Sequence, residues 1–166
     1  MSATNDLLEA NQGYARNFNK GGKPMPPAKK VAVVACMDAR IETGQLLGLE
    51  EGDAHVIRNA GGVVTDDVIR SLTISQRLLG TAEIVLIHHT DCGMLTFKDD
   101  DLKSQIEEDS GLRPQFALEA FSNLHDDVRQ SIRRIQTSPF IPHKDSVRGF
   151  IYDVERGRLN EVADSN

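Results

Sequence analysis

The sequence predicts an α/β fold: a mostly parallel central sheet flanked by helices, with an antiparallel edge strand and an N-terminal helical extension. Three observations predict it. Val31-Ala32-Val33-Val34-Ala35-Cys36 is an unbroken apolar stretch of strand length, and residues 83–88 form a second strand candidate around the apolar run Ile84-Val85-Leu86-Ile87, as expected of strands covered on both faces. Helical apolar periodicities lie between the strand candidates, and strand-helix-strand alternation implies parallel pairing. Last, residues 149–154 alternate in polarity, and the turn Glu155-Arg156-Gly157-Arg158 before Leu159 suggests a hairpin at a sheet edge.

The elements follow in chain order. Leu7, Tyr14 and Phe18 share a face at helical spacing with the small Ala10 nearby, and Asn5 or Asp6 can cap that first helix. Residues 19–30 hold Gly21, Gly22, Pro24, Pro26 and Pro27, which makes them a linker. The first helix is therefore free to fold back on its own domain or to pack on a second subunit. The chain is expected to form one domain over residues 1–166, with residues 1–30 as a helix and linker that form a dimer. Residues 54–58 are a shorter strand candidate. Thr65 can cap a helix with Asp66 and Asp67 in its first turn, Val68, Ile69, Leu72 and Leu79 on its apolar face, and Gly80 at its end. A longer helix is written by Leu118, Phe121, Leu124, Val128, Ile132 and Ile135, stopping before Pro139.

Composition narrows the function classes. The chain has 166 residues, 39% hydrophobic and 27% charged, enough for a single buried core. Its longest apolar runs fall far short of the roughly 20 residues of a membrane span, so no membrane association is expected. Its first residues, Met1-Ser2-Ala3-Thr4-Asn5-Asp6, lack the pattern of a secretory signal, and a cytoplasmic location is the default expectation. A net charge of -6 argues against nucleic-acid binding. Two cysteines are too few for a disulfide framework.

The chemistry-bearing residues cluster at two strand ends. One strand runs into Cys36-Met37-Asp38-Ala39-Arg40, the other into His88-His89-Thr90-Asp91-Cys92-Gly93. In open α/β sheets, sites form beyond the carboxyl ends of the strands, at the point where strand order reverses. His89 and Cys92 are three apart, a span that one turn can fold around an ion, and Cys36 can add a third ligand from a neighbouring strand. Two thiolates and an imidazole suit zinc and leave a fourth position for water. The alternatives are cysteines that pack as small hydrophobes beside locally bonded histidines, or a Cys36–Cys92 disulfide. His88 points to the opposite face from His89 in an extended chain and reads as a packed or supporting residue. Thr90 and Asp91 shape the ligand turn. Asp99-Asp100-Asp101 lack the calcium-loop pattern and read as a solvated helix start, while His125 and His143 read as surface residues.

Cys36-Met37-Asp38-Ala39-Arg40, Arg58-Asn59-Ala60-Gly61-Gly62 and His89-Thr90-Asp91-Cys92-Gly93 together resemble, in order, the three signature stretches of β-class carbonic anhydrases, and most closely the short bacterial members. The resemblance spans about residues 30 to 155. It implies zinc on Cys36, His89 and Cys92, and an Asp38–Arg40 pair beside the metal as the catalytic pair. It implies a lyase, carbonate dehydratase, that reversibly hydrates carbon dioxide to bicarbonate and a proton by attack of zinc-bound hydroxide, and a homodimer or larger homo-oligomer. Asp38 would accept a hydrogen bond from the nucleophile, with Arg40 keeping it ionised. Asp38 is also a possible fourth zinc ligand in a closed state. Backbone amides at Gly61 and Gly62 could approach bicarbonate as a substrate-binding element. Two other functions remain compatible with the motifs: hydrolysis of carbonyl sulfide or carbon disulfide on the same scaffold, and a non-catalytic zinc-stabilised module.

Overall fold

A computed structural model describes residues 2–163. Five strands form one sheet in the order β2-β1-β3-β4-β5. They are β1 (Val31–Cys36), β2 (Ala54–Asn59), β3 (Glu83–His89), β4 (Val147–Asp153) and β5 (Arg158–Glu161). The first four pair in parallel, and β5 closes the edge antiparallel to β4 through the expected hairpin. β1 lies between β2 and β3, so the strand order reverses around it. In register, Cys36 pairs with Asn59 on one side and Ala35 with Ile87 on the other. The three motif-bearing strand ends therefore open onto one edge of the sheet.

The pattern of side chains dictates this arrangement. Ala32 through Cys36 are all buried, which a strand flanked on both edges and covered on both faces requires. Helix α3 (Asp66–Leu79) starts where Thr65 accepts the Val68 amide proton and ends at Gly80, whose φ of +73 closes the cap. Its Val68 and Leu72 join Ala32, Val34, Ile84 and Leu86 in the main core, as do Val128, Ile132 and Ile135 of α5 (Leu124–Thr137). On the other face, Val33, Ala35 and Ile87 pack against Leu46 and Leu47 of the short α2 (Thr43–Leu47). Gly149 of β4 lies directly beneath Val128 and Ile132, with no room for a side chain, so α5 rests close upon the sheet.

Two sequence expectations are corrected. The longest predicted helix begins not at Leu118 but at Leu124. Asn123 supplies the cap by accepting amide protons from His125 and Asp126, while the amides of Leu118, Glu119 and Ala120 are taken by Asp99. The apolar spacing of Leu118 and Phe121 thus belongs to a strap outside the helix. The first helix, α1 (Ala3–Arg16), is capped by Ser2 rather than by Asn5 or Asp6: Ser2 Oγ accepts from the Asn5 amide. Asp6 lies in the first turn instead, where a negative charge suits the dipole. No residue of α1 is buried. Tyr14 ties it to the rest of the chain by donating its hydroxyl proton to Glu51 at 2.8 Å. The acidic segment opens α4 (Asp99–Ser110), as expected.

Candidate metal centre

Cys36 ends β1, His89 ends β3, and Cys92 lies in the turn that follows. Parallel pairing of β1 and β3 brings the three together. One ligand atom from each lies within 4.8 Å of the other two, and all three residues are buried. Both cysteines are free thiols. His89 Nδ1 donates to the Thr90 carbonyl at 2.8 Å, which leaves Nε2 with its lone pair outward, and that atom is buried without a partner. A buried imidazole nitrogen left unpaired is costly, and a metal ion between two sulfurs would complete it. The donor set and its burial fit zinc.

The charge balance of the three residues points the same way. A hydrogen bond from Cys92 draws the Cys36 thiol far below its ordinary range against the opposing effect of burial, with help from His89 and from the backbone at Asp38 and Gly61. The same Cys36 contact, followed by burial, pushes Cys92 up. Burial opposes protonation of His89, but the nearby Cys36 sulfur outweighs it and raises the imidazole. A divalent cation resolves this competition by taking the place of the shared protons.

Asp38 and Arg40 stand beside the cluster as a fork-to-fork pair. Arg40 donates from Nε to Asp38 Oδ1 at 2.9 Å and from Nη2 to Asp38 Oδ2 at 2.8 Å, and its own amide also donates to Oδ1. These Arg40 contacts hold the Asp38 carboxyl far below the usual carboxylate range despite its partial burial. Asp38 Oδ2 lies 3.7 Å from His89 Nε2, at the rim of the ligand cluster.

Gly61 and Gly62 take positive φ of 83 and 70. A Cβ on Gly62 would come within 2.8 Å of the Cys36 nitrogen and 2.9 Å of the Ile87 carbonyl oxygen. One on Gly61 would meet Met94 at 3.0 Å and Phe121 at 3.2 Å. Both glycines are buried, so a steric requirement, rather than contact with an anion, is what the structure gives for them.

Three residues around the site, Arg58, Phe121 and Asp127, had no role there in the sequence reading, and a fourth, Asp91, does more than shape the ligand turn. Arg58 donates from Nε to the Cys36 carbonyl at 3.0 Å and from Nη2 to the Asp38 carbonyl at 2.7 Å, pinning the backbone that carries both. Its place at the head of the second motif was the available signal. Asp91 holds the far side of Arg40, with Asp91 Oδ2 accepting from Nη1 at 2.7 Å. Phe121 packs with Cys36, Cys92, Met94, Val63 and Ile41 in an apolar cluster around the ligands. Asp127 of α5 accepts from His88 Nε2 at 2.6 Å, so His88 is turned away from His89 as its strand position predicts. His125 and His143 are exposed.

A family model described as "Carbonic anhydrase" matches residues 31–159. "Beta-carbonic anhydrase 1" of Mycobacterium tuberculosis is 59% identical over 162 residues, covering 98% of this chain and 99% of that protein. "Carbon disulfide hydrolase" of Acidithiobacillus thiooxidans is 33% identical, covering 96% and 90%. Among solved structures, the carbonic anhydrase from Streptococcus mutans superposes with a TM-score of 0.92 at 43% identity, covering 98% of this chain and 99% of that one.

Proposed function

The chain belongs to the β class of the carbonic anhydrase family, and from that premise we propose that Cys36, His89 and Cys92 hold one zinc ion, with Asp38 and Arg40 working beside it in the reversible hydration of carbon dioxide to bicarbonate and a proton. The observation that carries the residue assignment is the convergence of two buried thiols and an unpartnered imidazole nitrogen within 4.8 Å. Zinc bound there supplies the Lewis acidity that makes water a nucleophile near neutral pH.

The chain's own residues do the rest. Two thiolates balance the charge of the ion, and the His89–Thr90 hydrogen bond fixes the imidazole tautomer. Arg58 holds the Cys36 and Asp38 carbonyls, so the first ligand and the carboxylate keep a fixed separation. Asp38, ionised through its pairing with Arg40, acts only as an acceptor. At the rim of the cluster, that acceptor would take a hydrogen bond from the attacking oxygen and leave its lone pair facing carbon dioxide. The apolar cluster of Val63, Met94 and Phe121 suits a linear substrate with little hydrogen-bonding capacity. Were Arg40 to release it, Asp38 is close enough to His89 Nε2 to take the fourth ligand position and close the site.

The test is zinc content together with carbon dioxide hydration on the purified protein and on Cys92→Ala, with carbon disulfide turnover measured on the same preparations. About one zinc per chain and carbon dioxide hydration are expected, both lost in Cys92→Ala because thiolate ligands supply much of the binding. A zinc-loaded protein that turns over carbon disulfide but not carbon dioxide would transfer the reading to the relative named above.

A homodimer in the cytoplasm completes the reading. Leu7 and Leu8 of α1 are 70% and 59% exposed, and Tyr14 and Phe18 are half exposed. An apolar stripe of this kind on a helix with no buried residue supports docking onto a second copy. Thiolate ligands at Cys36 and Cys92 favour a reducing compartment.

A further inference from the structure

The strap of residues 111–123 joins α4 to α5 and crosses the apolar cluster around the metal ligands. Arg113 ties its start to Asp100 and Glu107, Glu119 pairs with Arg134 at 3.5 Å, and one side chain gathers three of its amides. Asp99, the first residue of α4, accepts three successive backbone amides: Leu118 and Glu119 donate to Oδ2 at 2.8 and 3.1 Å, and Ala120 donates to Oδ1 at 2.8 Å. Glu119 has a φ of +63, which turns these amides inward as a concave nest of the kind that binds anions. Here the anion is the chain's own carboxylate. A non-glycine residue in that conformation carries a strain, and such strain persists only where the surroundings hold it. Hydrogen bonds to an ionised acceptor are about twice as strong as neutral ones, so this residue is the main tie on residues 118–120.

What the strap carries is Phe121. One residue beyond the nest, its amide donates to the Met94 carbonyl at 3.2 Å. Its ring is buried in the cluster that contains Cys36 and Cys92, and its centroid lies 5.7 Å from that of His88. Release of the nest would leave Phe121 anchored by a single backbone hydrogen bond, its own packing and, two residues back, the long Glu119–Arg134 contact at 3.5 Å.

We propose that Asp99 is a positioning residue for carbon dioxide hydration: by clasping the amides of residues 118–120 it seats Phe121 as the apolar wall beside the zinc ligands. This rests on the reading of Cys36, His89 and Cys92 as the zinc site. Carbon dioxide is held by apolar surface and by little else, so displacing the wall weakens substrate capture more than the chemical step. The three residues read as ligands are carried by β1, β3 and the turn after β3, whereas the hydrogen bonds of Asp99 go to residues 118–120.

The experiment uses the zinc-loaded full chain with Asp99→Ala, Asp99→Asn, Phe121→Ala and the double variant Asp99→Ala/Phe121→Ala. Expected for Asp99→Ala is a KM for carbon dioxide raised about five- to tenfold with kcat within about twofold, the pattern of lost binding rather than lost chemistry. Zinc stays at one per chain. Asp99→Asn keeps one acceptor oxygen, loses the charge and sets an NH2 donor against the remaining amides, so it falls between Asp99→Ala and the parent and nearer to Asp99→Ala. Because Asp99 acts through Phe121, the double variant matches Phe121→Ala in KM instead of multiplying the two effects. Amide hydrogen exchange at residues 118–121 quickens by about tenfold or more in Asp99→Ala, while α5 is unchanged. An unchanged KM in Asp99→Ala, multiplicative effects in the double variant, or a loss that tracks zinc content would each overturn the proposal while leaving the zinc reading intact. A parent protein that binds zinc and does not hydrate carbon dioxide would overturn the reading beneath it instead.

Discussion

Arg40 donates through Nη1 to Asp91 Oδ2 at 2.7 Å and through Nη2 to the Asp91 carbonyl at 3.0 Å, while its other edge grips Asp38. The guanidinium is thus stretched between a carboxylate at the end of β1 and one inside the ligand turn. Asp91 has a φ of +55, so the substitution must respect the backbone. Asp91→Gly keeps that conformation without strain and removes only the carboxylate. It should retain zinc and lose about two- to fivefold in kcat/KM, since an exposed pair contributes little. Asp91→Ala should also lose zinc more readily, because its backbone is strained by about 1 kcal/mol. Zinc content and rates of the two variants side by side check this. Equal zinc loss in both would mean that the carboxylate, not the backbone, holds the turn.

Asp38 sets a second expectation through the sign of its shift. Arg40 lowers its carboxyl pKa in the folded chain, so the ionised form is the favoured one. Its contribution to stability is present above the unfolded carboxylate value and fades as pH falls through the lower folded value. Asp38 therefore stays ionised across the neutral range. The rise of activity with pH, expected over roughly pH 7 to 9 where zinc-bound water titrates, belongs to another group. Asp38→Asn should retain zinc and lose most activity, yet keep the midpoint of that rise. A pH series of kcat/KM on both proteins decides it: a midpoint that moves in Asp38→Asn places the carboxylate in the titration.

Most of the fold was legible because its signals are local. The continuous apolar runs that became β1 and β3 allow few other readings, and the Thr65 and Gly80 caps bracket α3 where they were expected. The grouping of Cys36, His89 and Cys92 was legible because two strand ends and a three-residue spacing bring their side chains together. The roles of Arg58 and Asp127, and the contact of Asp91 with Arg40, were not, since they depend on partners 22, 39 and 51 residues away. Phe121 was misplaced for a related reason. Its spacing continues the apolar face of α5 backwards, and only the remote carboxylate of Asp99 takes those amides out of the helix.

Gly62 tests the steric side of the site. Its φ of +70 and the backbone atoms within 3.0 Å of a modest side chain leave no room for any other residue. Gly62→Ala should destabilise the chain by about 3 kcal/mol through overpacking and backbone strain. Denaturant midpoints check the cost. A midpoint equal to that of the parent would show that β1 and β3 can yield at the ligand end.

Deleting residues 1–20 should weaken self-association by about tenfold or more, as removal of an apolar docking helix would, and should leave the sheet intact because α1 buries none of its own residues. Sedimentation at micromolar concentration measures it. A parent that sediments as a monomer would remove α1 from any interface.

The His88–Asp127 pair separates fold stability from metal chemistry at adjacent residues. His88 is fully buried, and its Nε2 reaches Asp127 Oδ2 at 2.6 Å on the side of the sheet that α5 covers. His89, one residue on, faces the ligand cluster. Asp127→Ala leaves a buried nitrogen unpaired, at a cost of about 1–3 kcal/mol. It also removes a negative charge from the first turn of α5, worth about 0.3–1 kcal/mol at a helix N-terminus. Asp127→Asn removes the charge but keeps an acceptor, so it should lose less, and the difference between the two variants isolates the orphaned His88. Alternation along β3 directs the damage toward the core face. Zinc content should therefore stay at one per chain, and kcat/KM should stay within about twofold, while the denaturant midpoint falls in both. Loss of zinc in Asp127→Asn at full folding would show that α5 reaches the metal ligands through His88, and the two faces of β3 would then be coupled.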